Sequence, residues 1–353
     1  MALPATRTAY VHVHRSNSRD YPRHGTVSVH LSEAANFSYP GLACSLHHQG
    51  SLVRPALTLT AMNSAQLPLH ASDGPPAIRV MAQSDLPVAL SLSEDVRWPL
   101  RPSDWKRLFQ MGEGCVAEVG GAVVGVGMRW LWDERSASVG LLVVAPAFRE
   151  RGIGSVLLEA LCAGLEGRAV LLHAPGKLHR FYARMGFERI GEVHQYEGKA
   201  LPAPLMALPE DCRLRPGGRN DLQLLVGMEQ GARGVARPSL IEAWLRQSIG
   251  TVVLDHPDGP RGFAIARRFG RGAMIGPVVA PCAKSAKALI AHLAGLVTGR
   301  VLRLDVYADG ELEDWLGCLG LAHVADATLL ARGSPAAPTA PFSYFALADK
   351  ALG

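Results

Sequence analysis

The segment of residues 138–154, SVGLLVVAPAFRERGIG, constrains the fold more than any other part of the chain. Its first half is an apolar run typical of a strand that is buried on both faces, and Pro146 ends that run. Gly152 and Gly154 then lead directly into a helical pattern. A strand that turns through glycines into a helix collects unpaired backbone amides and the positive end of the helix dipole at one point. The segment therefore predicts a binding site for an anionic group such as a phosphate.

The length and composition indicate a globular protein with two domains. A chain of 353 residues exceeds what one hydrophobic core usually spans, and its 48% hydrophobic and 19% charged residues are ordinary for folded domains. No apolar run approaches the ~20 residues of a membrane helix. The net charge of +5 comes without a basic, aromatic-rich cluster, which argues against nucleic acid as a partner. None of the six cysteines forms a CxxC pair, so we expect no metal, no disulfide framework and a cytoplasmic protein.

Residues 1–76 differ in kind from the rest of the chain. They are rich in Ser and Arg, poor in acids, and contain seven of the 13 histidines. We expect a disordered leader here. Its composition fits a transit peptide and equally fits an over-extended gene start, in which case Met62 would be the alternative first residue.

From Ala77 onward the sequence alternates between clear strand and helix patterns. A short strand and two helices come first, followed by two strands that the turn Gly120-Gly121 joins into an antiparallel hairpin. The central strand, a helix, a fifth strand, a short helix and a sixth strand complete the series near Gly198.

Two motifs in this series resemble those of a known family. The pattern V-x-P-x-x-R-x-x-G-x-G is filled by Val144, Pro146, Arg149, Gly152 and Gly154. It resembles motif A of the GCN5-related N-acetyltransferases, the GNAT family. The segment FYARMGF, residues 181–187, resembles the companion motif one helix and one strand later. The resemblance covers roughly residues 77–198 and implies an α/β (α+β) GNAT fold, with a mixed, mostly antiparallel sheet flanked by helices.

The resemblance also implies acetyl-CoA as the co-substrate. The loop that would cradle its pyrophosphate consists of Arg149, Glu150, Arg151, Gly152, Ile153, Gly154 and Ser155. The backbone of Leu142, Val143 and Val144 would pair with the pantetheine arm. Tyr182 lies where many members of the family place a general acid beside the departing sulfur, and a phenol with a pKa near 10 is protonated at neutral pH.

The general base is not specified by the sequence. Some members of the family carry a glutamate on the central strand, and this strand has no carboxylate. The candidates are Glu118 on the preceding hairpin, His173 at the end of the fifth strand, and Glu113, Asp133 and Glu134 at strand ends. A water chain to bulk solvent would also serve.

The acceptor pocket is predicted from two parts of the chain. The first two helices offer Glu94, Asp95, Trp98 and Trp105, which suit a cationic amine, although both tryptophans equally fit a role in core packing. In the later loop GARGVAR, Arg233 and Arg237 would suit an acidic group on the acceptor, or remain solvated loop charges.

The second half of the chain repeats the first. AMIGPVVAP matches VGLLVVAP, and Leu319-Gly320-Leu321 matches Met185-Gly186-Phe187. At an offset that stays between 132 and 137, the counterparts of Arg149, Gly152, Gly154 and Tyr182 are Lys284, Lys287, Leu289 and Leu316. We therefore expect tandem GNAT copies with a degenerate C-terminal copy and one donor site per chain. The expected divisions are a first domain at 77–200, a linker at 201–212, a second copy at 213–333 and a flexible tail at 334–353.

These patterns predict an N-acetyltransferase that moves acetyl from acetyl-CoA to a small-molecule or peptide amine by direct attack in a ternary complex. No cysteine is placed to carry the acetyl group, which disfavours a ping-pong route. The alternative is a non-catalytic acyl-CoA-binding sensor or regulatory module. The identity of the acceptor and the oligomeric state stay open.

Overall fold

The computed structural model describes residues 75–308 and 311–353. The predicted leader and the alternative start at Met62 lie outside the described residues. In the N-terminal half the strands are β1 (Ala77–Val80), β2 (Glu113–Val119), β3 (Ala122–Leu131), β4 (Ser136–Val144), β5 (Ala169–Ala174) and β6 (Glu188–Lys199). The helices of this half are α1 (Leu86–Asp95), α2 (Pro102–Met111), α3 (Ile153–Cys162) and α4 (His179–Arg184). The predicted order of elements is confirmed.

The C-terminal half repeats this order of elements. Its strands are β7 (Arg213–Pro216), β8 (Ser248–Asp255), β9 (Gly262–Phe269), β10 (Gly272–Ala280), β11 (Val301–Tyr307), β12 (Ala322–Arg332) and β13 (Ser343–Ala346). Its helices are α5 (Leu222–Arg233), α6 (Pro238–Arg246), α7 (Ala283–Gly295) and α8 (Glu313–Leu316). We call the two halves the N-terminal copy and the C-terminal copy.

The helices cover both faces of the sheet. Arg129 of β3 donates hydrogen bonds to the carbonyls of Leu161 and Ala163 at the end of α3. The next residue, Trp130, donates through Nε1 to the carbonyl of Leu108 in α2. Because consecutive strand residues point to opposite faces, α2 and α3 lie on opposite faces of β3.

All thirteen strands of the described residues form one sheet, in which the two copies exchange strands. The order is β1-β2-β3-β4-β5-β12-β6-β11-β13-β10-β9-β8-β7, and β12 and β6 therefore each lie beside the other copy. Only β4–β5 and β10–β11 pair in parallel. Val193 of β6 pairs with Ala327 of β12. These two positions are equivalent in the repeat, because each lies the same number of residues after its matching glycine, Gly186 or Gly320. This pair marks an approximate twofold axis between the copies.

The C-terminal tail is an integral part of the fold, so the expectation of a flexible tail at residues 334–353 is wrong. Strand β13 pairs with β10 and β11, and residues 344–349 are buried. Asp349 Oδ2 accepts a hydrogen bond of 2.8 Å from Arg267, and its Oδ1 accepts one from the amide of Ala351. The small and polar residues of the tail do not indicate a buried strand, because β13 becomes buried only when it inserts between β10 and β11.

The boundaries predicted for the two domains and the linker stay predictions. In the described residues, no helix is long and apolar enough to cross a membrane.

The ion pair between Arg267 and Asp349 should anchor the tail. Both side chains are buried, at 1% and 5% exposure, so replacing one partner leaves a buried charge without its counter-ion. We expect Asp349→Ala to lower the free energy of unfolding by roughly 3 kcal/mol. Urea unfolding followed by circular dichroism measures this change.

Asp258→Ala is the matched control for this experiment. Asp258 also pairs with an arginine, Arg261, but its side chain is 76% exposed. Exposed pairs contribute little, so this variant should unfold like the wild type. Equal stability of both variants would contradict an anchoring role for Asp349.

Candidate active site

Strand β4 separates from β5 halfway along its length. The parallel pairing joins Ser136, Ala137 and Ser138 to residues 169–171 and goes no further, whereas β4 stays paired with β3 as far as Val144. A bulge starts the separation, because Leu141 has φ of 53° and two β4 residues oppose the single residue Gly127. The backbone of residues 142–144 therefore has no strand partner on its β5 side.

The end of β4 leads into a loop that turns backbone amides toward one point. Glu150 and Gly152 both have positive φ, at 64° and 79°, and such alternation produces a concave nest of N–H groups. Gly152 is the N-cap of α3, so the first amides of that helix have no partner within it. A Cβ added at Gly152 would meet no atom within 4 Å, which leaves the nest open to a ligand. Arg149 secures the loop by donating through Nε to the carbonyl of Val144, at 3.0 Å.

The equivalent cleft in the C-terminal copy is filled by the tail. Counted from the matching bulge in β10, residues 278, 279 and 280 are the counterparts of Val143, Val144 and Ala145. In the C-terminal copy all three pair with β13, which lies antiparallel to β10 and also pairs with β11. An extended segment of the tail thus lies where the N-terminal copy has no strand beside β4.

The loop of the C-terminal copy is shortened, which corrects the predicted alignment. Eight residues, 145–152, separate β4 from α3, but only Pro281 and Cys282 separate β10 from α7. Lys284, Lys287 and Leu289 lie inside α7 and are not counterparts of the nest residues. The nearly constant sequence offset hid this, because the strand and the helix each keep their own register on either side of the missing loop. The prediction that this copy lacks a nest does not change.

Tyr182 on α4 is buried next to the aromatic rings of Phe181 and Phe187. The ring centroids are 4.8 and 6.0 Å away, and the tyrosine is 6% exposed. Burial raises the pKa of the phenol to about 12. The side chain therefore keeps its proton across the neutral range. It lies on α4, the helix that follows β5.

The structure separates the candidate bases from one another. Glu118 accepts a hydrogen bond of 2.8 Å from Arg79, two strands away from β4. Glu113 is paired with Arg129 in the same way. Asp133 and Glu134 lie in the turn before β4, at the far end of that strand from the nest.

Of these candidates, His173 on β5 lies nearest to the cleft. Its Nδ1 donates to the carbonyl of Lys350 at 3.0 Å, and its Nε2 is enclosed without a hydrogen-bond partner among the described residues. Burial, reinforced by the nearby charge of Arg233, lowers the pKa of the imidazole to about 3. His173 is therefore neutral at physiological pH and weakly basic.

The tail covers the point where β4 and β5 separate. Gly140 touches Ala351 so closely that a Cβ at Gly140 would collide with the carbonyl of Ala351. Ser138 Oγ donates to the carbonyl of Leu352 at 2.7 Å and accepts from Trp132 at 2.6 Å. Sequence reasoning missed this contact, for which the only signal is a glycine in an otherwise apolar strand.

A cavity of about 620 Å³ adjoins this point and is lined by both copies. Arg233, predicted as an acceptor residue, lines it: its Nη1 donates to the Tyr307 hydroxyl at 3.3 Å, and its guanidinium lies 4.8 Å from the Tyr344 ring. Its enclosed Nε has no partner among the described residues. Arg237 also borders the cavity, but its donors already bind Glu229 and the carbonyls at the chain end.

The other predicted acceptor residues do not line this cavity. Trp105 is fully buried and donates to Ser93, so it is a packing residue. Trp98 packs against the hydrophobic core at the α1–α2 connection. Glu94 and Asp95 are exposed at the end of α1.

Solved structures share this architecture. A protein of Pyrococcus horikoshii superimposes with a TM-score of 0.64 at 19% identity, covering 79% of this chain and 96% of its own. A tandem GNAT protein from the clavulanic acid biosynthesis pathway gives 0.54 at 16% identity, covering 75% of this chain and all of its own. Together with the separated strands and the amide nest, these likenesses define a GNAT fold in two tandem copies.

Two family models, each described as an acetyltransferase (GNAT) domain, match residues 110–189 and 225–346. They fall one in each copy and together take in more than half of the chain, which therefore belongs to the GNAT acetyltransferases. A curated relative, the mycothiol acetyltransferase of Acidothermus cellulolyticus, is 32% identical over 136 residues. That match covers 36% of this chain and 40% of the relative, so the chain spans two fifths of the relative's length.

The filled second cleft predicts that acetyl-CoA binds once per chain. Titration calorimetry of the wild type should give one equivalent. Gly152→Glu should abolish binding, because a carboxylate in the amide nest repels the pyrophosphate. Gly164→Glu is the matched control: Gly164 follows the other end of α3, has φ of 74° and also has open space around its Cβ.

Two equivalents per chain would contradict the closure of the second cleft by β13. If Gly164→Glu also abolished the binding of acetyl-CoA, backbone strain at positive φ, and not a blocked nest, would explain the loss in both variants.

Proposed function

We propose that the chain transfers the acetyl group of acetyl-CoA to an amine by direct attack in a ternary complex, with the donor bound only in the N-terminal copy. One observation carries this proposal: beyond Ser138, β4 has no strand partner on its β5 side and leads to an amide nest, while β13 pairs with the equivalent stretch of β10. We assign Leu142, Val143 and Val144 as the backbone that holds an extended pantetheine arm, and the pairing of β13 with Val278 and Val279, the counterparts of Val143 and Val144, supports this assignment. The loop of residues 149–155 holds the pyrophosphate.

Tyr182 supplies the proton for the leaving group. Its raised pKa keeps the phenol protonated, and a protonated phenol stabilises a departing thiolate that water would otherwise have to neutralise. A backbone N–H of β4 at the bulge stabilises the carbonyl oxygen as negative charge develops on it.

The attacking amine loses its proton to water. Glu118 is held by Arg79, and the low pKa of His173 makes its imidazole a poor acceptor of protons at neutral pH. An amine that is partly neutral in solution needs no protein base, because only its free-base fraction attacks.

The acceptor occupies the cavity between the copies and carries an acidic group near its amine. Arg233 supports this choice, because its enclosed Nε has no hydrogen-bond partner in the described part of the chain, while Tyr307 and Tyr344 hold the guanidinium in place. A carboxylate or phosphate suits a guanidinium in such a setting. The cavity volume of about 620 Å³ suits a small molecule, and the partial match to a mycothiol acetyltransferase supports the same size class.

Tyr182→Phe should lower kcat by about 10²-fold or more, since it removes the general acid and keeps the packing of the ring. The KM for acetyl-CoA should change little, because the hydroxyl acts on the leaving group. Release of CoA thiol with a panel of small amines measures both values. Tyr196→Phe, which removes a hydroxyl on β6 outside the cleft, should leave kcat unchanged.

The same assay distinguishes the sensor alternative from catalysis. Tight binding of acetyl-CoA without turnover of any amine in the panel would refute the proposed transferase and favour a regulatory module.

The pH dependence tests the absence of a protein base. Between about pH 6 and 9, kcat/KM should rise tenfold per pH unit until the pKa of the acceptor amine is reached. His173→Gln should show the same profile, because the wild-type imidazole, with a pKa of about 3, does not titrate in this range. If the pH profile of the wild type shows an inflection that the profile of His173→Gln lacks, His173 is the base.

A further inference from the structure

A cluster of metal-ligating side chains lies on the strands that join the copies, outside the β4–β5 cleft. His194 of β6 is directly opposite Asp326 of β12, and His323 lies on the same strand as Asp326. One ligand atom from each residue lies within 4.8 Å of the other two. Asp326 Oδ1 is 2.6 Å from Nε2 of His323 and 3.6 Å from Nε2 of His194.

A β-bulge brings the two β12 residues to one face of the sheet. His323 and Asp326 are three positions apart, so a regular strand would point them to opposite faces. The register shifts between His323 and Ala325, which leaves Val324 as an extra residue. This extra residue reverses the alternation, and re-aiming of a side chain is a common role of bulges.

A fourth residue orients the histidine on β6. Nδ1 of His194 is hydrogen-bonded to a carboxylate oxygen of Glu313 in α8. A carboxylate accepts, so Nδ1 carries the hydrogen and Nε2 presents its lone pair toward Asp326 and His323. Histidines that bind metals in proteins are usually held by this kind of carboxylate partner.

We propose that His194, His323 and Asp326 form a binding site for a divalent transition ion, for which Zn²⁺ is the best fit. Two imidazoles and one carboxylate match the ligand preference of zinc, and tetrahedral bonds of ~2.1 Å place ligand atoms about 3.4 Å apart, close to the spacing here. Water completes the coordination. The ion joins β6 of the N-terminal copy to β12 of the C-terminal copy, so it stabilises their junction.

The test is the zinc content of the full chain after incubation with Zn²⁺ and desalting, measured by mass spectrometry. Residues 1–74 contain seven further histidines, so the informative quantity is a difference between variants. The wild type should retain one equivalent more than His323→Ala or Asp326→Asn. His292→Ala, which removes an exposed histidine on α7, is the matched control and should retain as much as the wild type.

Thermal unfolding provides a second measurement that does not depend on the leader. Zn²⁺ should raise the midpoint of the wild type and of His292→Ala, and EDTA should reverse the shift. The two ligand variants should show no shift, while Glu313→Gln should bind zinc about 10–100-fold more weakly. The proposal is overturned if His323→Ala and Asp326→Asn, folded by circular dichroism, retain as much zinc as the control and show the same shift.

Discussion

The structure depends on a break in one hydrogen-bond ladder. Beyond Ser138, β4 no longer pairs with β5, so a row of backbone N–H and C=O groups faces a gap. Such groups are costly to bury without partners. The C-terminal copy meets this demand internally, because β13 pairs with Val278, Val279 and Ala280. The N-terminal copy leaves the equivalent row without a strand partner beside the amide nest, where we propose that an extended ligand supplies the missing bonds. The two copies thus differ in whether a strand of the chain itself pairs with this row.

The exchanged strands explain why the C-terminal copy persists without a nest of its own. Strand β12 covers the edge of β5, and β6 covers β11, so each copy protects an edge that would otherwise be exposed. The tail adds a second connection, because it leaves the groove of the C-terminal copy and ends on Ser138 in the other. The C-terminal copy also contributes Arg233 and Tyr307 to the cavity that we assign to the acceptor. We therefore propose that its role is to build a pocket and a junction, and that the donor binds in the N-terminal copy.

Local patterns predicted the elements well, because hydrophobic periodicity and turn residues act over a few positions. They were less successful where partners are distant in sequence. Nothing near Glu118 reveals that Arg79 binds it, and nothing near His173 reveals the carbonyl of Lys350. The nearly constant repeat offset concealed a missing loop, so Lys284 aligns with Arg149 in sequence although it lies inside a helix. The bulge at Val324, which brings His323 and Asp326 together, likewise has no sequence signature.

By itself, the sequence determined the tandem architecture, the order of strands and helices, and the nest at Gly152, since each rests on short-range periodicity or on the freedom of a glycine at positive φ. The tertiary structure alone decided which of the two grooves is open, where Arg233 points, and that β6 and β12 change places between the copies. Those outcomes depend on pairing between strands that are more than a hundred residues apart. Such pairing is selected by the burial of whole surfaces, which no local pattern records.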